Sequence, residues 1–396
     1  MPRVVFALCL AEVLGMVGFA SFPALLPGFI LEWGLSNTEA GWVSGVYYAG
    51  YMVGVPVLVA LTDRIDPRRI WLASTLLTAL AGFGFAWWAD GFLSALLFRA
   101  LAGLGLAGTY MPGLKILSDR LDGPGASRWF AFYTASFGLA AGLSYWIAGS
   151  LAASVDWRAA FLAAGAGALL ALLPVALLVG PAARRAPRIH ATALLDFRPV
   201  LRTRAAMAWI LGYAGHMWEL FAMRSWIVAF VWYSQGLQPD GGAGLRATTI
   251  AAIVNLLGLP ASILGNELAM RFGRRRVIVA IMAVSALLAT GLGHAVALPF
   301  AVVAGLCFLY GVTVAGDSAA LTAGAVAAAP EGYSGATLAV HSTLGFGCGF
   351  LGSLAVGIVL DLAGDGAPPA WGAAFLTMGL GAVTGAVALA RLGRGR

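Results

Sequence analysis

Twelve apolar stretches divide the chain, near residues 4–31, 40–61, 70–88, 93–117, 129–152, 159–180, 206–233, 246–266, 277–297, 299–325, 336–360 and 371–390. An α-helix rises about 1.5 Å per residue, so roughly 20 apolar residues cross a hydrocarbon core of about 30 Å. Hydrocarbon offers no partner to backbone N–H and C=O groups, so a crossing segment must satisfy them internally, as a helix does. The composition agrees: only 10% of residues are charged, against about 25% in soluble domains. The expected fold class is an all-α membrane protein with twelve transmembrane helices in a lipid bilayer.

A net charge of +7 and a pI of 9.7 raise the question of nucleic acid, and the placement of the bases answers it. Of 24 basic residues, 19 fall in the termini and in loops on one side of the predicted spans: Arg3, Arg64, Arg68, Arg69, Arg120, Arg128, the 184–204 cluster, Arg271, Arg274, Arg275, Arg276, Arg391, Arg394 and Arg396. This is the positive-inside bias. It predicts cytoplasmic termini in the cell membrane and no nucleic-acid partner. Cys9, Cys307 and Cys348 fall in spans, so no disulfide framework is expected. The first apolar stretch is too long for a cleavable leader and lacks a clear cleavage pattern. No Walker-type phosphate loop or clustered Cys/His spacing occurs. The "GLGLAG" and "GVTVAG" runs lie inside spans, which excludes a dinucleotide fingerprint. The expectation is therefore no enzyme, no cofactor and no metal.

The two ends of the chain resemble each other. "GVP" at Gly54–Pro56 answers "GLP" at Gly258–Pro260, and "GLGLAG" at Gly103–Gly108 answers "GVTVAG" at Gly311–Gly316. "GLAAG" at Gly138–Gly142 answers "GFGCG" at Gly345–Gly349, and "DWRAAF" (156–161) answers "AWGAAF" (370–375). The order of the matches predicts duplication: a six-helix bundle over 1–183, a cytoplasmic linker over 184–204, and a second six-helix bundle over 205–396. Parallel repeats of this kind meet around a central site in secondary transporters. Small residues in these runs allow the close helix contacts that packing in lipid requires.

Ionisable residues inside a membrane are expensive and usually line a cavity or pair with one another. Eight occur in the predicted spans: Glu12, Arg99, Lys115, His216, Glu219, Arg224, Asp317 and His341. In "HMWELFAMR", His216 and Glu219 are three apart and share a helical face. Arg224, five residues beyond Glu219, is rotated away by about 140° and displaced by about 7.5 Å, so the two must find different partners. Each has a plainer reading. Glu219 is either a coupling acid or a structural acid bonded to Arg99, and Glu12 either couples or braces its helix. Asp317 either couples or packs. Lys115, the only lysine, sits where a long stem snorkels to the surface. His341 reads as a structural donor. Trp146, Trp218 and Trp226 wall a cavity or face the interface.

The chain resembles the major facilitator superfamily along its full length. The loop "VALTDRIDPRR" is similar to that family's G-x-L-a-D-r-x-G-r-k motif, with Asp63, Arg64 and Arg68 matching while Val59 and Asp66 replace the usual glycines. The counterpart "LGNELAMRFGRRR" keeps Arg271, Gly273 and Arg274 but has Met270 in place of Asp. "RALAGLGLAG" from Arg99 and "DWRAAF" resemble the family's fourth- and sixth-span patterns. The G-P-x-x-G-G element of drug–proton antiporters is absent from the fifth span. The resemblance implies that the first, fourth, seventh and tenth spans line a central cavity, and seven of the eight ionisable residues fall in those four.

The expected function is secondary active transport of a small solute, favouring an organic or inorganic anion, by alternating access with proton coupling in a monomer. Arg99, Arg224, Trp218 and Tyr145 are the expected substrate contacts. Glu219, Asp317, Glu12 and His216 are the expected proton-coupling groups. Asp63, Arg64, Arg68, Arg271 and Arg274 form the expected conformational latch. Two other readings stand beside it: a proton-driven exporter of drug-like or cationic compounds, and a non-transporting receptor with a transporter fold.

Overall fold

The computed structural model describes residues 2–62, 64–121, 126–181, 196–239, 241–242, 244–364 and 367–392. Asp63 and most of the expected linker lie outside the described residues. The first eight helices are α1 (Arg3–Gly15), α2 (Ser21–Trp33), α3 (Asn37–Leu61), α4 (Pro67–Trp88), α5 (Phe92–Ala107), α6 (Tyr110–Ser118), α7 (Ala126–Ser154) and α8 (Trp157–Leu178). After the short α9 (Arg198–Arg202) come α10 (Arg204–Gly236), α11 (Ala247–Phe272), α12 (Arg274–His294), α13 (Phe300–Gly316), α14 (Ser318–Ala327), α15 (Ser334–Leu362) and α16 (Pro368–Leu392). Ten helical runs among the described residues are long and apolar enough to cross a membrane.

Three of the expected uninterrupted spans are each built from two helices. The breaks fall between α1 and α2, α5 and α6, and α13 and α14, at Gly18, Gly108–Thr109 and Gly316–Asp317. Glycine weakens a helix interior by about 1 kcal/mol relative to alanine, and the freed backbone groups find protein partners. The Phe19 carbonyl accepts from Arg99 Nη1 at 3.5 Å, and Ala20 N–H donates to Ser144 Oγ at 3.2 Å. Thr109's carbonyl accepts from Tyr133 Oη at 3.4 Å, and Ala319 N–H donates to Ser262 Oγ at 3.2 Å. Irregular backbone at membrane depth is tolerated only where the protein itself satisfies it.

Close helix contacts hold the buried polar residues in place. A Cβ on Gly103 would stand 1.9 Å from the Tyr47 carbonyl oxygen, so α5 presses its backbone against α3 one turn from Arg99. Gly215, next to His216, brings α10 against α16, where an added Cβ would meet the Gly381 oxygen at 2.4 Å. The "DWRAAF" stretch closes the top of α8. Asp156 Oδ1 caps its first turn at 2.9 Å from Ala159 N, Trp157 Nε1 donates to Glu32 Oε1 at 3.1 Å, and Phe161 stacks on Phe85 at 3.7 Å. Arg68 donates to the Ala176 carbonyl at 2.8 Å, tying the start of α4 to the end of α8. Arg275 makes the corresponding bond from α12 to the Ala390 carbonyl of α16.

Helices α1–α8 and α9–α16 form two groups that meet along α3 with α15, α7 with α11, and α2 with α10. The apolar cluster through the middle of the molecule draws on both groups, whereas three smaller clusters each draw on one group alone. Those smaller clusters include the start of α1 and the end of α16, so the groups are knit together at the centre and at the end away from the termini. At that far end the carboxylate of Asp361, in α15, crosses to the first turn of α3. Oδ1 accepts from Asn37 N and Nδ2, each at 2.9 Å, and Oδ2 accepts from Thr38 N at 2.8 Å and Thr38 Oγ1 at 2.5 Å. An anion on orphan N–H groups at a helix start is favoured by both bonding and dipole. Asp361→Ala is expected to loosen this end by about 1–2 kcal/mol, the usual cost of losing a cap. Spin labels at the exposed Leu31 and Leu362 should then report a broader, longer distance distribution; an unchanged distribution would show that Asp361 does not hold the groups together.

Candidate functional site

Two arginines from opposite helix groups lie at the centre, Arg99 buried and Arg224 half-buried. Arg99, from α5, is 2% exposed and sits over the Tyr47 ring at 4.3 Å, with Phe22 at 6.0 Å. Its Nη1 makes a long hydrogen bond to the Phe19 carbonyl, and its Nε and Nη2 have no bonding partner among the described residues. Arg224, from α10, donates Nε to Asn255 Oδ1 at 2.8 Å and lies 5.8 Å from the Phe19 ring and 5.5 Å from Phe221. Both arginines therefore meet Phe19, one through its carbonyl and the other through its ring. Tyr48 and Tyr145 lie within electrostatic range of both guanidinium groups. No acid among the described residues forms an ion pair with either arginine.

The side chains around them are aromatic. Tyr48 stacks on Phe221 at 4.0 Å, Tyr51 on Phe346 at 3.8 Å, and Phe19 meets Tyr47 edge-on at 5.6 Å. A guanidinium over an aromatic face gains about 0.5–2 kcal/mol, less than the several kcal/mol that removing a charge from water costs. The remaining deficit leaves the arginine N–H groups as ready donors to an anion.

The acids lie elsewhere. Glu219 Oε1 accepts from Ser285 Oγ at 2.9 Å and Tyr310 Oη at 3.1 Å, buried between α10, α12 and α13. Arg99, the sequence-based structural partner for Glu219, is not bonded to it. Asp317 Oδ1 stands 2.8 Å from His216 Nδ1, and both side chains are almost fully buried. Tyr213 links this pair to a second histidine: its ring lies 5.7 Å from His216 and stacks on His341 at 3.6 Å. Glu12 occupies a third place, accepting from Tyr133 Oη at 2.8 Å beside a small cavity lined by Trp71, Thr75, Thr78 and Thr109. Its Oε1 has no bonding partner among the described residues.

The other expected residues divide. Tyr145 reaches the site, but its hydroxyl is donated to the Arg224 carbonyl, so it shapes the backbone there. Trp218 does not join the arginines. Its indole donates Nε1 to the Thr377 carbonyl at 2.9 Å, and the residue packs against Gly352 and Gly381. Lys115 pairs with Asp119 at 2.7 Å. Arg64, in the turn after α3, and Arg271, in the last turn of α11, are exposed, and Arg274, the first residue of α12, is partly buried. Residues that the sequence analysis missed are Asn255, Phe19, Tyr47 and Tyr48. Asn255 carried a usable signal, a primary amide inside an apolar span, and so did Phe19, whose carbonyl has no helical donor because residue 23 is Pro23.

A bundle of apolar helices with helix breaks, central arginines and separately buried acids belongs to the membrane transporters. The chain is a member of the Major Facilitator Superfamily, whose model matches residues 8–353. It is 30% identical over 148 residues to a "Probable 4-methylmuconolactone transporter" of Cupriavidus pinatubonensis, covering 35% of this chain and 33% of that protein. It is 25% identical over 149 residues to a niacin transporter of Acinetobacter baylyi, covering 37% and 33%, and 29% identical over 155 residues to the cyanate transport protein of Escherichia coli, covering 38% and 40%. These alignments span about a third of the relatives' length. Its fold is similar to a bacterial homolog of the human lysosomal transporter Spinster in an inward-facing, occupied conformation, with a TM-score of 0.73 at 15% identity over 98% of this chain and 94% of the other. It is also similar to a D-xylose–proton symporter, with a TM-score of 0.76 at 14% identity over 96% of each chain.

The placement of Trp218 generates a prediction. Trp218→Phe keeps an aromatic ring but removes the donor to Thr377 and part of the indole's packing, so thermal unfolding in detergent should show a loss of at least about 1 kcal/mol, the usual worth of one net hydrogen bond. An unchanged melting profile would show that this contact does not brace α10 against α16.

Proposed function

We propose that the chain is a twelve-span, proton-coupled transporter of small organic or inorganic anions, working by alternating access in the cell membrane with both termini cytoplasmic. Its two six-helix bundles, 1–183 and 205–396, would rock about the central site as a monomer. Matching packing pairs support the repeat: α4 on α8 parallels α12 on α16, and α3 on α5 parallels α11 on α13. The corresponding bonds from Arg68 and Arg275 support it too.

The observation that carries the anion reading is the pair of arginines, Arg99 buried and Arg224 half-buried, one from each bundle, meeting at Phe19 with tyrosines around them and no acid paired to them among the described residues. A ligand bound by both would favour the state in which the bundles approach, because a ligand shifts an equilibrium only through differential affinity. The relatives named for niacin, cyanate and 4-methylmuconolactone support a small solute of this kind. The cationic-drug reading needs acids at the substrate position, and the arginines occupy it.

Glu219 is the proposed coupling acid, supported by the His216–Asp317 pair beside it and by Glu12 in the other bundle. A buried carboxyl group bonded only to hydroxyls is poised between protonation states by burial and by the charges that approach it. The loops carrying Asp63, Arg64 and Arg68, and Arg271 and Arg274, are the proposed latch at the terminal end. The Asp361 contact would hold the opposite end closed.

Two measurements test this. In proteoliposomes with a pH gradient, nicotinate, benzoate and cyanate serve as probes. Arg99→Gln and Arg224→Gln should each weaken binding of a transported anion by about tenfold or more, matching a lost charged hydrogen bond of about 1.5–3 kcal/mol. An organic cation with affinity unchanged in both variants, in the absence of any anion binding, would overturn the reading. Glu219→Gln should abolish accumulation driven by the pH gradient while leaving anion exchange measurable. If that variant still concentrates the anion, proton coupling at Glu219 is wrong and Asp317 or Glu12 takes its place.

A further inference from the structure

Arg224 is held by a neutral group where an acid would be the stronger partner. Asn255, 5% exposed on α11, accepts from Arg224 Nε at 2.8 Å and donates its own Nδ2 to the Ala251 carbonyl at 2.9 Å. The second bond fixes the orientation of the amide. Its nitrogen is committed to the preceding turn of α11, so its oxygen must face α10 and the guanidinium. A carboxylate at this position would make a shorter, stronger bond to the same Nε, but it would also cancel the charge. The remaining groups facing Arg224 are Phe19 from the α1–α2 break, Phe221 of α10, and the uncharged hydroxyls of Tyr48, Tyr145 and Tyr213. None supplies a negative charge. Arg224 is thus fixed in position and left with its full charge.

We propose that Asn255 sets the charge selectivity of the site: by orienting Arg224 without neutralising it, Asn255 makes the site take a planar carboxylate in preference to the matching carboxamide. This rests on the anion-transport reading and deepens it. Acid and amide have nearly the same shape, so packing against the aromatic rings discriminates little between them. Discrimination comes from the charge-assisted bonds to the two guanidinium groups, which a carboxamide makes only weakly and with one end mismatched, because its NH2 faces donors. Asn255 acts through Arg224 and is a positioning residue. Asn255→Asp exchanges NH2 for O, keeps the shape, and places a competing carboxylate on Arg224.

The test uses the purified full chain and two matched pairs, benzoate with benzamide and nicotinate with nicotinamide. The unsubstituted protein should bind at least one acid better than its amide. Asn255→Asp should weaken acid binding by about tenfold or more, the cost of a lost charged hydrogen bond, and move the acid-to-amide ratio toward one. Asn255→Ala provides the check if the aspartate variant does not fold. It frees the guanidinium and should reduce acid affinity while amide affinity stays the same, whereas a residue that only packs would change both alike. An unsubstituted protein that binds neither acid would sink the anion reading itself. Acid binding with an unchanged ratio in a folded Asn255→Asp or Asn255→Ala variant would overturn the role of Asn255 and leave the anion reading standing.

Discussion

A guanidinium group that leaves water must recover its hydration energy from something else, and that requirement organises the centre of this protein. Arg99 recovers part of it from the Tyr47 face and a long bond to the Phe19 carbonyl. Arg224 recovers part of it from Asn255, Phe19 and Phe221. Truncating one partner of a buried charge pair is costly because the other charge is then stranded. Here the acids that would make such pairs are bonded elsewhere, and the positive charge is held by dipoles and π-faces. In the proposed cycle the substrate supplies what the protein withholds. The absence of an internal counter-charge is then what makes ligand binding and bundle closure a single event.

The helix breaks supply the other half of that arrangement. The Phe19 carbonyl has no ladder partner because residue 23, four positions on, is Pro23 and carries no N–H. Beside the break at Gly18 it accepts from Arg99 of α5 instead. At the tenth span the break puts Asp317 at a helix junction, within reach of His216 on α10. At the fourth the Thr109 carbonyl accepts from Gly113 N at 2.8 Å and also lies 3.4 Å from the Tyr133 hydroxyl, which is bonded to Glu12. Arg99, the His216–Asp317 pair and Glu12 each lie beside a helix break, whereas Glu219 is bonded to hydroxyls inside unbroken helices.

Ten apolar spans were legible because hydropathy over about 20 residues reports one physical quantity, transfer of a helix into hydrocarbon. The identities of the buried charges were legible for the same reason, since Arg99, Arg224, Glu219 and Asp317 stand out against an apolar background. Their pairing was not. Glu219 was offered Arg99 as a structural partner, yet it is bonded to Ser285 and Tyr310, hydroxyl residues that look ordinary in a span. Trp218 shared its sequence neighbourhood with the site but not its face, because at helical pitch it points to α15 and α16 rather than toward Arg224. Asn255 and Phe19 were missed because their importance depends on which helix lies opposite, a fact that one-dimensional patterning does not carry.

The separation of acids from arginines bears on how coupling would work. If Glu219 were paired to Arg99, a substrate anion would compete directly with the acid for the same guanidinium, and proton uptake would follow from displacement alone. Glu219 is instead bonded to α12 and α13, with the His216–Asp317 pair on the same side of α10. The proposed coupling must therefore pass through α10 itself, which carries Arg224 on one face and Glu219 on another. Movement of α10 toward the opposite bundle when Arg224 meets the substrate would strain or relax the Ser285 and Tyr310 bonds and change the stability of the Glu219 charge. In that proposal one helix, packed against α15 and α16 and crossing near α2, would serve as both substrate sensor and proton sensor, with about 140° between the two faces.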